Sequence, residues 1–225
     1  MKKIKTLYIL SGPAAPGNSK KDNFFYFLSQ SLSGFAIGST WPVELEKNLG
    51  DKDTLKESFG NFKYLTFRRY SGHSIIRQII HIYNYLKLGF KVLKKNEIDI
   101  IISYGFNAPG ISSAVLSFFT KTPLLVLVPG VPSKINQYTS IKYKKLSSFL
   151  LSASIVTTLK QARSIWLLFD GQLEGINLDN KKVFINHDFA PVSLYSPKKI
   201  EKNIISFIGY PWAVSYTHLT LPTKA

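Results

Sequence analysis

A chain of 225 residues, 45% of them hydrophobic, is long enough for one large core, or for one domain and the start of another. It has no cysteine, which excludes disulfides, thiolate chemistry and Cys-based zinc sites and is compatible with a reducing compartment. Lys and Arg number 29 against 13 Asp and Glu, a formal net charge of +16. Such a field attracts polyanions: nucleic acid, anionic lipid head groups or nucleotide phosphates. A Lys-, Ile- and Asn-biased composition, seen in "KNEIDI" and "LDNKKVFIN", accounts for the excess equally well.

The opening "MKKIKTLYILSG" has the basic start of a signal peptide. Its apolar segment, Leu7 to Leu10, is too short for one and runs into Gly12 and Pro13, so a buried first strand over 4–10 is expected. No stretch reaches the apolar length of a membrane span. Strand-length runs recur at 34–40, 62–67, 98–103, 123–128, 154–159 and 182–186. Several are apolar throughout, the pattern of strands buried on both faces. Before the 62–67 run, "EKNLGDKDTLKESFG" reads as a polar loop. Asp51 and Asp53 in it have the spacing of a metal-binding Asp-x-Asp, but no strand precedes them, so a solvated loop is expected.

"SIIRQIIHIYNYLKLGFKVLKKN" predicts an amphipathic helix over 74–96. Arg77, His81, Asn84, Lys87, Lys91, Lys94 and Lys95 are placed on its polar side; Ile76, Ile79, Ile80, Tyr83, Leu86, Phe90 and Leu93 are placed on its packed side. Strands alternating with helices imply right-handed crossovers and an α/β class: a Rossmann-like, doubly wound parallel sheet over residues 1–190.

Ligands of such a sheet bind beyond the carboxyl ends of its strands. The first of these loops is "SGPAAPGNSKKDNFF". Gly12 and Gly17 free its backbone, Ser11, Asn18 and Ser19 offer hydrogen bonds, and Asn18 or Ser19 is placed to cap a helix whose N-terminus favours an anion. The loop is neither a GxGxxG fingerprint nor a P-loop, and a plain Pro/Gly connection explains it as well. "SYGFNAPG" brings Tyr104 and Asn107 to the same rim, and "VPGVPSKINQ" brings Gly130. Both stretches have turn chemistry first.

"KKVFINHDFAPVSLYSPKKIEKNIISFIGYPW" carries a resemblance. Its Lys-Val-apolar strand, Asn186 and Asp188, the "LYSP" close, a charged linker and "IISFIG" resemble the interdomain passage of glycosyltransferase family 4. "IDIIISYGFNAPGISSAVLSFFTKTPLLVLVPGV" resembles the family's strand-helix-strand unit, and "KKLSSFLLSASIVTTLKQARSIW" its helix, strand and helix. The resemblance spans roughly residues 1 to 212, with no single decisive motif. It implies the N-terminal, acceptor-side half of a GT-B architecture. Residues 191–203 would then be an interdomain linker and 204–212 the first strand of a truncated donor domain, with Asn186, His187 and Asp188 as hinge or cleft candidates. It further implies glycosyl transfer from a nucleotide-sugar substrate to a glycan or lipid-linked acceptor in cell-surface polysaccharide synthesis, with neither cofactor nor metal. GT-B enzymes stabilise the leaving diphosphate with basic side chains and helix N-termini.

The sequence departs from the family at Val128-Pro129-Gly130, where many members have Val-His-Gly, so no general base transfers to that loop. The family's paired glutamates belong to the second half. Residues 213–225, "AVSYTHLTLPTKA", resemble the translated read-through of a transposon-type sequencing adapter and are expected to be foreign, His218 with them. The chain is therefore expected to be inactive alone, with its catalytic residues unassigned. Two other readings stay open: a non-catalytic basic nucleic-acid-binding domain, although no RNP, KH or helix-turn-helix pattern supports specific nucleic-acid binding, and a fragment of a sugar-nucleotide epimerase. The expected location is cytoplasmic, with peripheral contact to an anionic membrane through the 74–96 helix and "YKKL" at 143–146.

Overall fold

The structure is a computed structural model. It describes residues 3–10, 32–39, 54–59, 61–70, 74–128, 144–169, 171–176, 178 and 182–185. The chain divides into two compact units, Met1–Phe189 and Ala190–Ala225. All described residues belong to the first. The expected linker, the second-domain strand at 204–212 and the acidic pair at 51–53 lie outside the described residues.

The described elements in chain order are β1 (Ile4–Ile9), β2 (Leu32–Ser39), β3 (Thr54–Phe59), β4 (Phe62–Phe67), α1 (Ser74–Lys95) and β5 (Ile100–Tyr104). They continue with α2 (Asn107–Thr120), β6 (Leu124–Val128), α3 (Lys144–Gln161), β7 (Ser164–Leu167) and β8 (Lys182–Ile185). The strands form one sheet in the order β3-β4-β2-β1-β5-β6-β7-β8. Every pair is parallel except β3 with β4. The expected parallel, Rossmann-like sheet is present, and the antiparallel edge is an addition to it.

The strand at 54–59 corrects the reading of that stretch as loop. An edge strand pairs on one side only, so its sequence is free of the apolar run that marks the interior strands. A second correction concerns 154–159, expected as a strand and found inside α3. Leu151, Ser154, Ile155, Thr158 and Leu159 are its buried positions, a spacing of three and one that only a helix produces. The strand of this unit is instead Ser164–Leu167, in which Ile165 and Leu167 alternate inward.

The helix at 74–95 forms as expected, but rotated. His81, Tyr85, Gly89 and Val92 are buried, whereas Ile76, Ile79 and Tyr83 are exposed. Apolar residues occupy more than half of this helix, so the lysines alone left its inward direction underdetermined. The buried ring of Tyr85 settled it: Phe67 meets it edge-on with centroids 4.9 Å apart, and its hydroxyl donates to the Leu10 carbonyl oxygen.

Period-two alternation along β1 divides the core between the two faces of the sheet. Leu7 and Ile9 join Ile37, Ile101, Val126 and Ile165 beneath the helices. Tyr8 and Leu10 join Ala36, Phe62, Tyr64 and Ile102 on the other face. The helices pack side by side, α1 on α2 and α2 on α3. At the amino end of the sheet, the Lys5 N–H donates to the Asp99 carboxylate at 2.8 Å and the Asp99 N–H to the Lys5 carbonyl, also at 2.8 Å. This clamp sets β1 against β5.

At Gly34 the backbone of β2 lies close against that of β1. Gly34 has φ 138°, and a Cβ there would lie 2.0 Å from the Thr6 carbonyl oxygen. Gly34→Ala is therefore expected to lower stability by about 3 kcal/mol or more, read as a fall in the urea midpoint. Gly89→Ala is expected to do clearly less harm. Its new methyl first meets the Leu116 Cδ1 tip at 2.4 Å, which can rotate away.

Candidate functional site

In the sheet order the chain first runs outward from β1 through β2 to β4 and then returns across α1 to β5 on the other side. The crevice between β1 and β5, at their carboxyl ends, is thus the topological switch point, where open α/β sheets take ligands. Leu10 ends one wall, its N–H bonded to the Ile37 carbonyl at 2.9 Å. The turn Ser103–Asn107 forms the other.

That turn is held tightly. The Gly105 N–H donates to Leu127 O at 2.8 Å, and Ser103 Oγ, fully buried, donates to Gly105 O at 3.0 Å. Gly105 has φ 80° and Asn107 φ 50°. Asparagine tolerates that region better than other residues with a side chain, so the choice of Asn suits this corner. α2 then begins with no side-chain cap. The positive end of its dipole is left facing the switch point, an arrangement that suits an anionic or hydroxyl-rich ligand. Gly110 lets this first turn approach α3, since a Cβ there would sit 2.7 Å from Thr158 Oγ1.

The structure thus brings two of the sequence candidates together. Asn107 is half-buried at the start of α2, and Tyr104 is half-buried against the cluster of Tyr8, Leu10 and Ile102. Gly12, Gly17, Asn18, Gly130, Asn186, His187 and Asp188 lie outside the described residues.

Other residues reach the same edge without having been singled out. Arg68 and Arg69 follow β4 directly, and Ser39, buried, ends β2. The "FRRY" pair after an apolar run was a readable signal. Gln172 had none. Fully buried, it accepts from the Leu168 and Phe169 N–H groups and donates through Nε2 to Val128 O at 2.9 Å, tying the ends of β6 and β7 together.

Electrostatics at this edge follow burial. Tyr85, enclosed under Phe67, has its hydroxyl pKa pushed upward by burial, with a hydrogen bond to Ser39 opposing, so it stays a neutral donor. Tyr64 is pushed up to about 12 by burial. His81 packs edge-on to Phe67 with centroids 5.4 Å apart. Burial first, then Arg69 and Arg77, lowers its pKa to about 4. Its buried Nε2 has no hydrogen-bond partner. It is a neutral packing residue, contrary to its expected place on the polar side of the helix.

Among the described residues, no group of three or more His, Asp or Glu is placed to hold a metal ion, and no helix is long and apolar enough to cross a membrane. A cavity of about 450 Å³ opens at the amino ends of the strands, lined by Ile4, Thr6, Ile100, Leu124 and Arg163 among others. Its walls are mostly aliphatic, and it lies at the opposite edge from the switch point, so it is not the candidate site.

Comparison with known proteins bears on the fold. No family model matches the sequence, and no curated protein sequence matches it. Solved structures do. A UDP-N-acetylglucosamine 2-epimerase aligns with a TM-score of 0.50 at 14% identity, covering 82% of this chain and 48% of its own. The UDP-GlcNAc 2-epimerase of Neisseria meningitidis, bound to UDP-GlcNAc, gives 0.49 at 14% identity over 81% of this chain and 45% of its own. The trehalose 6-phosphate synthase of Burkholderia multivorans gives 0.46 at 13% identity over 77% and 41%. The chain spans about half the length of the structures it matches. The first likeness shows the fold: a Rossmann-like half of the GT-B architecture.

His81 makes stability depend on acid. Its folded pKa of about 4 lies below the ordinary 6.5, so the unfolded chain binds the proton first. Its contribution is complete above the ordinary value and is lost as pH falls from 6.5 towards 4. Unfolding free energies from urea titrations across that window are expected to fall in the wild type, by up to ~3 kcal/mol from this group. The fall should be smaller in His81→Phe.

Proposed function

We propose that this chain is the acceptor-side half of a GT-B enzyme that acts on nucleotide sugars, and that the parent protein transfers a sugar to a glycan or lipid-linked acceptor in surface polysaccharide synthesis. In that reaction the bond from the anomeric carbon to the diphosphate oxygen breaks. The acceptor hydroxyl oxygen forms the new bond and loses its proton, and the nucleoside diphosphate leaves. The observation that carries the reading is the built switch point: a backbone-locked turn, Asn107 at positive φ and an uncapped helix start, all at the carboxyl end of the central strands. Such a rim offers hydrogen-bonding groups to a sugar hydroxyl, with Tyr104 and Asn107 as the acceptor-facing side chains and the loops bearing Gly12, Gly17, Asn18 and Gly130 as further contributors. Asn186, His187 and Asp188 are proposed as the hinge towards a second half that binds donor. A membrane-borne acceptor places the protein peripherally on the cytoplasmic face.

A second reading, a sugar-nucleotide epimerase, has support in the names of the structural neighbours: two of the three named above are UDP-N-acetylglucosamine 2-epimerases. An epimerase needs no acceptor, so the two readings separate on whether product forms from the nucleotide sugar alone.

The test is binding by this chain, since donor-handling groups are assigned to the other half. Titration with bacterial surface oligosaccharides is expected to show an acceptor class that binds and is weakened about tenfold by Asn107→Ala, the effect of one lost polar contact of ~1.4 kcal/mol. No turnover of a nucleotide sugar is expected. Turnover by this chain overturns the division of labour. Salt-sensitive binding to unrelated nucleic acids with none to any saccharide overturns the functional reading.

A further inference from the structure

We propose that the outer face of the α1–α2–α3 layer is a docking surface for an anionic lipid bilayer. Three observations carry it. The first is charge. None of the three helices contains an Asp or a Glu, while α1 alone carries Arg77, Lys87, Lys91, Lys94 and Lys95. A surface helix that only needs solvation mixes both signs; here one sign is missing from all three described helices.

The second is the large apolar side chains left on that layer. Tyr83 is 63% exposed and Ile79 61% on α1, Phe119 68% and Phe118 55% at the end of α2, and Phe149 69% on α3. On α1, Ile76, Ile79, Tyr83, Lys87, Phe90 and Lys94 share the side opposite the buried stripe of His81, Tyr85, Gly89 and Val92. Aliphatic and aromatic residues lead this line and lysines join them in its second half, the composition of a helix lying in a head-group interface.

The third is continuity between the helices. Phe90 of α1 meets Phe119 of α2 with centroids 6.3 Å apart, and Phe119 meets Phe118 at 5.3 Å. Lys121 stands over the Phe118 ring at 4.8 Å, and Lys87 over the Tyr83 ring at 6.0 Å. Each ammonium sits beside the ring that would enter the acyl boundary, as a lipid phosphate and its chain require.

A second copy of the chain fits this face poorly. A two-fold contact would oppose lysines to lysines with no carboxylate in the three described helices to separate them. A bilayer supplies anions and hydrocarbon together. Docked so, the helix axes lie along the membrane, α1 covering about 33 Å of it. The carboxyl edge bearing Tyr104 and Asn107 then opens sideways along the membrane plane, within reach of a head group. The docking itself does not depend on the reaction proposed above.

Flotation of the full chain with vesicles tests this. It is expected to float with phosphatidylcholine–phosphatidylglycerol vesicles, not with pure phosphatidylcholine, and to be released by salt. Phe118→Ser with Phe119→Ser should abolish flotation while leaving the circular dichroism spectrum unchanged and lowering Tm by only a few degrees, because more than half of each side chain is exposed. Lys87→Gln and Lys94→Gln should each weaken binding roughly five-fold. The proposal is overturned by absence of flotation, by equal flotation with neutral vesicles, or by flotation that the double Phe variant retains. It is equally overturned if the Phe pair instead controls dimerisation, or if duplex nucleic acid strips the chain from anionic vesicles at equal salt.

Discussion

Strand β1 must satisfy its backbone on both sides and bury both of its faces, and most of the fold follows from that. β2 supplies one row of hydrogen bonds and β5 the other. With β2 leading the chain outward on one flank and β5 bringing it back on the other, the switch point arises at its carboxyl end without any further design. The Gly34 contact shows how little slack this leaves, since even one carbon would collide with the β1 backbone at Thr6.

The same constraint explains why the helices carry such different surfaces. Their inward stripes are set by the sheet: Tyr85 reaches Leu10, and Leu116 fills the place where Gly89 has no side chain. Once these contacts are made, the outward residues of α1 are whatever remains. Ile76, Ile79 and Tyr83 remain outside although they are as apolar as the residues inside. Hydrophobicity alone therefore did not choose the buried face. Shape and hydrogen bonding did, with an aromatic hydroxyl and a neutral histidine among the groups taken in.

At the candidate site, what was readable was the loop, not its geometry. "SYGFNAPG" announces a turn between a strand and a helix, and Tyr104 ends the strand and Asn107 begins the helix on its two sides. The positive φ of Asn107, the uncapped start of α2 and the lock from Ser103 to Gly105 come from how β5 meets β6, which no local pattern reports. Gln172 is the extreme case. It holds three backbone groups from two strand ends, yet its sequence context is unremarkable polar turn.

By itself, the sequence determined the class and most of the frame. The apolar-rich runs at 4–10, 62–67, 98–103 and 123–128 coincide with β1, β4, β5 and β6 to within about two residues, because strands paired on both sides and covered on both faces are rich in apolar residues. The lengths and the alternation of helix with strand then imply a parallel sheet. Tertiary structure decided the rest, for identifiable reasons. "SIVTTL" became helix because the residues around it bury at helical spacing, overriding β-branched preference. "TLKESF" became strand because an edge partner was available in β4. The direction in which α1 faces, and with it the basic and aromatic surface it presents, was settled only by packing against a particular sheet.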